Sequence, residues 1–179
     1  MISEAEIISG CIKGDKKAQK ALYDKYSAKM LGICVRYFRS VDEAEDALQE
    51  GFIRVFNNID KFRNEGSFDG WIRRIIVNTA INYYKSNLKY YYAIDYDEIE
   101  ETIEDTKLSF DNLSVEFLLK IIQSLPEGYR LIFNLYEIEG YNHKEIGEML
   151  GISINTSKSQ LMKSKKYLQN KLNTKGNII

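Results

Sequence analysis

Proline occurs once in 179 residues, histidine once and cysteine twice, and no stretch approaches the roughly 18 apolar residues of a membrane span. Each scarcity excludes something. So little proline, with long stretches whose apolar residues recur at a period near 3.6, argues against a sandwich of short strands and for an almost wholly helical chain. Cys11 and Cys34 are too few and too far apart for a disulfide scaffold or a zinc site, and both fall on apolar faces, where cysteine behaves as a small buried hydrophobe. His143 starts a helix without a cysteine, serine or second histidine at catalytic or ligand spacing, and no nucleophile motif, metal cluster or phosphate loop is recognisable. No catalytic residue, metal or cofactor is expected, and the chain is not expected to be an enzyme. The N-terminus, MISEAEII, lacks the basic start and apolar run of a secretory signal, so neither membrane insertion nor export is expected and the location is read as cytoplasmic.

What is present is apolar material for real cores, 44% of residues, and an uneven distribution of charge. Residues 1–89 carry 15 basic and 12 acidic side chains (+3), residues 90–113 carry 1 and 8 (−7), and residues 114–179 carry 9 and 6 (+3). Two mildly basic modules therefore flank an acidic linker. No acid follows Glu148, whereas six lysines do: Lys158, Lys163, Lys165, Lys166, Lys171 and Lys175.

Cap signals divide the chain into helices. Ser3 with Glu6 reads as a capping box for a first helix that Gly14 ends, and Asp15 can cap a second helix running to about Phe38. Ser40 with Glu43 opens a third to about Asn58. A polar loop, Asp60 to Ser67, leads to a long fourth helix from Phe68 to about Leu88. From about Tyr90 to Asn112 the amphipathic stripe is lost. Helical period returns at Leu113, with Val115, Leu118, Leu119 and Ile122 as its stripe. Pro126 suits the first turn of the next helix and Gly140 stops it; Asn142 with Glu145 caps another, Gly151 supplies the turn, and a last helix runs from about Asn155 to Leu172. The fold class expected is all-α: two small helical domains, 1–89 and 113–179, joined by an acidic linker, 90–112, the second a four-helix domain with a helix-turn-helix.

Three helix faces are left over once the apolar stripes are assigned inward. On the third helix Ala44, Leu48, Phe52, Val55 and Ile59 share the core side, while Asp42, Glu43, Asp46 and Glu50 crowd an opposite arc of roughly 100° with the apolar Ile53 among them. Like charges at i,i+4 cost about 0.2–0.5 kcal/mol per pair. Asp42 and Glu43 suit a helix N-terminus, but that effect fades within a turn; a basic protein partner accounts for all of them, against the plainer reading of a solvated face. On the fourth helix Phe68, Ile72, Ile75, Ile76, Thr79 and Tyr83 form the stripe, and Trp71, Arg74, Asn78, Lys85 and Lys89 share another side. Cations beside an aromatic ring suit single-stranded nucleic acid, and the loop residues Phe62, Arg63 and Asn64 extend that surface; the alternative is a tryptophan half-covered by the loop among solvated cations. On the last helix Ile154, Ser157, Leu161, Ser164, Leu168 and Leu172 point inward. Asn155, Lys158, Ser159, Met162, Lys163 and Lys166 point out, a set able to meet phosphates, adenine, guanine and a thymine methyl, or else a solvated lysine-rich face.

In this order of parts the chain resembles the bacterial extracytoplasmic-function sigma factors, the two-domain class of promoter-specificity subunits of RNA polymerase. The run DEAEDALQEGFIRVFNNIDKFRNEGSFDGWIRRIIVNTAINYY is similar to that family's first domain, and LPEGYRLIFNLYEIEGYNHKEIGEMLGISINTSKSQLMKSKKYL to its second. The resemblance implies that Asp42, Asp46, Gln49, Glu50 and Ile53 dock on the clamp helices of the largest subunit of core polymerase. It implies that Arg54, Phe62, Asn64, Trp71, Arg74 and Asn78 capture the melted minus-ten strand, with Phe62 and Asn64 in the loop that takes a flipped base. It further implies that Asn155, Thr156, Lys158, Ser159, Met162 and Lys163 read the duplex minus-thirty-five element, that the acidic linker threads toward the RNA exit channel, and that an inhibitory anti-sigma protein is a further partner. Where the family often has Gly-Thr-Val followed by arginines, this chain has Asn155, Thr156 and Ser157 followed by Lys158 and Lys163, point charges in place of bidentate forks. Two other readings of the residues remain at this point: a helix-turn-helix regulator that acts without being a polymerase subunit, and a helical adaptor that binds only proteins.

Overall fold

The computed structural model describes residues 3–91 and 115–176, without the side chains of 87–91 and 173–176. The linker expected at 90–112 lies outside the described residues except for Tyr90 and Tyr91, which continue a helix. All described elements are helical, and they form two compact units that divide between Tyr83 and Tyr84.

In the first unit α1 (Glu4–Ile12) is opened by the expected capping box: Ser3 Oγ accepts from the Glu6 amide at 3.3 Å and Glu6 accepts from the Ser3 amide at 2.7 Å. Gly14, at φ 76°, turns the chain into α2 (Lys16–Tyr37), where Asp15 caps by accepting from the Lys17 amide at 2.9 Å. Ser40 caps α3 (Val41–Asn58) through the Glu43 amide at 3.1 Å, and a 3-10 turn, Ile59–Lys61, follows. Ser67 then caps α4 (Phe68–Tyr91), its hydroxyl accepting from the Gly70 amide at 3.1 Å. The five residues expected on the core side of α3 are all buried, joined by Ala47 and Gly51.

On α4 the stripe is shifted. Phe68, Ile72, Ile76 and Thr79 are buried, but so are Val77, Ala80 and Ile81, while Ile75 is half-buried and Tyr83 is 41% exposed. Tyr83 ends the first unit, where its ring meets Phe38 edge-on at 5.0 Å.

The second unit takes in the end of α4 from Tyr84 and continues with α5 (Val115–Gln123), whose buried residues are Phe117 and Ile121. Val115 and Leu118, expected inside, are exposed; Leu119 and Ile122 are half-buried, and Leu113 lies outside the described residues. The apolar residues of VEFLLKIIQ span an arc of roughly 200°, with Glu116, Lys120 and Gln123 together on the other side, so period alone gives the apolar side but not which part of it will meet a neighbour. Pro126 precedes α6 (Glu127–Phe133), which continues as a π-helical turn, Asn134–Ile138, that the sequence does not announce. Arg130 is buried and donates to the carbonyls of Gln123 at 3.0 Å and Leu125 at 3.3 Å, closing the end of α5. The last two helices are α7 (His143–Leu150) and α8 (Ile154–Gly176). Helix α8 is the hub, packing against α5, α6 and α7 with Ser157, Leu161 and Ser164 buried. Ile154 and Leu172, expected inward, are 45% and 41% exposed because they flank the part of α8 that the other helices cover, and Leu168 is half-buried.

Gly51 is a point of close approach between α3 and α4: a Cβ there would lie 2.4 Å from Ile76 Cδ1, and Ile76 is itself buried. Gly51→Ala should therefore destabilise the first unit by about 1–3 kcal/mol in chemical denaturation, and adding Ile76→Val, which removes Cδ1, should recover part of the loss.

Candidate nucleic-acid interface

The acidic ridge stands as a face of one rigid helix. Asp42, Asp46, Gln49, Glu50 and Ile53 are all exposed on α3, with Ile53 54% exposed among the carboxylates. Val41, at the first turn of the same helix, is a second exposed aliphatic, at 58%. Glu50 does not stand alone, since its Oε1 accepts from Arg54 Nε at 2.9 Å. That i,i+4 pair is solvent-exposed on both sides and is worth only about 0.3–0.5 kcal/mol, so either member can turn to a better partner at little cost. It joins residues expected at two different sites.

Beyond Arg54 the chain builds an aromatic corner. Asn58 donates to the Arg54 carbonyl at 2.8 Å and accepts from Lys61 at 2.7 Å, which fixes the exit of α3 into the 3-10 turn. Phe62 then packs on Phe68 (ring centroids 5.0 Å) and on Trp71 (5.6 Å), and Phe68 lies nearly parallel to Trp71 at 5.6 Å. Phe68 is buried; Phe62 and Trp71 are half-buried, so the loop covers part of the indole and leaves part of it open. Asn64 is exposed at φ 60°, a left-handed conformation that asparagine tolerates better than bulkier residues. Arg74, Asn78 and Lys85 are exposed on α4, and the side chain of Lys89 lies outside the described residues.

The helix-turn-helix is set by caps and close contacts. Asn142 forms a full capping box with Glu145, and Gly151 ends α7 at φ 70°. Gly147 is buried where a Cβ would lie 2.9 Å from the Ile152 carbonyl oxygen, so the turn can close only over a glycine. Ser153 caps α8 through the Thr156 amide at 3.0 Å. On α8 Asn155, Lys158, Ser159, Met162 and Lys163 are exposed, Met162 at 67%. Thr156 is different: it is half-buried with its hydroxyl 2.9 Å from that of Ser153, so its side chain serves the helix start. Ser159 donates to the Thr156 carbonyl at 3.0 Å.

Two contacts escaped sequence reasoning. His143 Nδ1 lies 2.9 Å from Ser157 Oγ, tying α7 to α8 across 14 residues, and its ring stacks on Tyr136 at 4.4 Å. Lys165 Nζ pairs with Glu137 at 2.7 Å, anchoring one lysine of α8 to the π-helical turn. Both depend on tertiary placement, and neither has a spacing that marks it.

Comparison with known proteins finds matches along nearly the whole chain. Residues 22–106 match the family model of Sigma-70 region 2, and residues 118–168 match that of Sigma-70 region 4. The chain is 28% identical over 182 residues to the ECF RNA polymerase sigma-E factor of Escherichia coli (strain K12), covering 96% of this chain and 95% of that one. It is 29% identical over 184 residues to that of Haemophilus influenzae, covering 96% of each. In fold it is similar to the sigma factor RpoE from Bartonella quintana, solved in complex with the anti-sigma factor NepR, at a TM-score of 0.53 and 18% identity over 86% of this chain and 96% of that one. The chain belongs to the sigma-70 family, with both its region 2 and region 4 modules. Within that family it is an extracytoplasmic-function sigma factor. No helix among the described residues is long and apolar enough to cross a membrane.

Burial and the nearby Lys158 and Lys165 push the His143 pKa below 6.5. The folded state thus resists a proton that the unfolded chain accepts, so stability is level above pH 6.5 and falls as pH drops through that value toward the folded pKa. Denaturation midpoints of the second unit in the full chain should decline across pH 6.5 to 5, and His143→Asn should flatten that decline.

Proposed function

We infer that this chain is a promoter-specificity subunit: it binds core RNA polymerase, recognises minus-thirty-five and minus-ten elements, and stabilises melted DNA for transcription initiation. The observation that carries this reading is the presence, in one chain, of an exposed acidic ridge with an aliphatic at its centre, an aromatic corner beside cations, and a helix-turn-helix whose outer face is lysine-rich. DNA cannot be the partner of the first, and it suits the other two.

Asp42, Asp46, Gln49, Glu50 and Ile53 grip the clamp helices of the largest polymerase subunit, the carboxylates meeting basic side chains while Ile53 fills an apolar contact. Phe62, Asn64 and Trp71 receive extruded bases of the minus-ten strand; Arg54, Arg74 and Asn78 follow its backbone. Asn155, Lys158, Ser159, Met162 and Lys163 enter the major groove of the minus-thirty-five element, with the Thr156 backbone in the same helix start. Residues 1–89 and 113–179 are then the polymerase-and-melting module and the upstream-element module, and the acidic segment 90–112 passes through a basic tunnel of the polymerase as a mimic of RNA. Catalysis belongs to the polymerase, and the chain acts in the cytoplasm. An anti-sigma protein that covers the same faces is the third class of partner.

Extruding a base costs a few kcal/mol, and stacking returns about 1–3 kcal/mol per base, so melting is favourable only with the subunit held in place by the enzyme. Free chain should bind promoter DNA weakly. Purified core polymerase with this chain on a promoter library should give start-site-specific transcripts; site-specific binding by the chain alone, with polymerase neither needed nor bound, would overturn the assignment. Asp46→Lys with Glu50→Lys should lower core affinity roughly tenfold or more while circular dichroism stays unchanged. Lys158→Glu should weaken upstream-element contact and leave core affinity intact.

A further inference from the structure

Helix α1 carries none of the residues assigned to the three surfaces above, yet its contacts converge on the loop between α3 and α4 from both ends. At the loop's start, α1 packs against the 3-10 turn Ile59–Lys61, immediately before Phe62. At its end, Glu4 in the first turn of α1 accepts a hydrogen bond from the Tyr26 hydroxyl, and the Tyr26 ring meets Phe68 edge-on at 5.8 Å. Phe68 is the residue on which both Phe62 and Trp71 pack. Lys25 adds a contact to Glu4 at 3.2 Å. One turn further along α2, Lys29 lies 2.8 Å from both carboxylate oxygens of Asp69, in the first turn of α4. The base of the brace is firm: Ile7 and Cys11 are buried, and α1 lies so close to α2 that a Cβ on Gly10 would sit 2.5 Å from that of Ala18.

We propose that α1 is a brace for base capture, and that Glu4 and Tyr26 are positioning residues that hold Phe68, and through it Phe62 and Trp71, in the register the displaced strand requires. The inference rests on the promoter-melting role assigned to this corner. A ring that must accept a base on one side has to be held from the other, because a platform free to rotate spends the stacking energy on its own ordering. Tyr26 can do this because its ring is fixed by Phe68 on one side and its hydroxyl by a carboxylate from another helix.

The test uses holoenzyme assembled from core polymerase and the full chain, on a promoter with 2-aminopurine in the minus-ten non-template strand. Tyr26→Phe keeps the ring and loses the bond; Glu4→Ala loses the acceptor; Glu4→Gln keeps an acceptor oxygen. Tyr26→Phe and Glu4→Ala should each reduce the fluorescence of the extruded base about three- to tenfold at unchanged core affinity, and Glu4→Gln should restore it. In the free chain, quenching of Trp71, the only tryptophan, by acrylamide should rise in Tyr26→Phe. Wild-type base signal in both damaging variants would overturn the brace, as would an equal fall in core affinity, which would mean that the bond holds the whole module together. If wild-type holoenzyme itself gives neither base signal nor transcripts, the promoter-melting role fails and the brace with it.

Discussion

The contact between Gly51 and Ile76 is the constraint from which the first module follows. Two amphipathic helices, α3 and α4, bury their stripes together through a close approach at Gly51, where a Cβ would meet the terminal methyl of Ile76 and force that side chain to shift. Once that contact is made, the outward faces are no longer free choices. The acids of α3 and the cations of α4 are displayed on packed helices, so these faces are ordered in the free chain and contact with another molecule would cost them little conformational entropy.

Polar groups in this chain fall into two energetic classes, and the difference separates scaffold from interface. Arg130 is buried with two backbone carbonyls as acceptors, and Ser157 is buried against His143. Removing a partner from such a group leaves an unsatisfied donor or acceptor out of water, at a cost of about 1–3 kcal/mol. The Glu50–Arg54 pair is exposed and weak. Groups of the first class fix α5 to α6 and α7 to α8; groups of the second can be recruited by a larger partner. The same contrast applies on α8, where Thr156 is drawn into the cap of its own helix while Lys158 and Met162 remain outward.

The Glu4–Tyr26–Phe68 chain of contacts adds a third kind of group, neither core nor interface, whose effect lies in where it puts something else. Its elements come from three helices, and the residues concerned are far apart in sequence. Trp71 is half-buried by Phe62 and Phe68 and still partly open, so a loop-covered tryptophan and a base-stacking tryptophan are compatible descriptions of one ring.

Much of this was legible in the chain itself. Capping signals such as Ser3 with Glu6, Asp15, Ser40 with Glu43 and Asn142 with Glu145 located the helix starts, because a cap is a bond between residues two or three apart and needs no tertiary context. The acid arc of α3 and the lysine skew of α8 were equally local. Tertiary structure alone decided the rest. On α5 a broad apolar arc suggested a stripe through Val115 and Leu118, but neighbours buried Phe117 and Ile121 and left Val115 outside; on α4 and α8, Tyr83, Ile154 and Leu172 lay on apolar stripes that extend beyond the covering helices. The π-helical turn, the His143–Ser157 bond and the convergence of α1 on the aromatic corner had no signature in spacing. Periodicity records the angle of a side chain about its own helix; burial and partnership depend also on where neighbouring helices begin, end and approach, and those distances exist only in the folded chain.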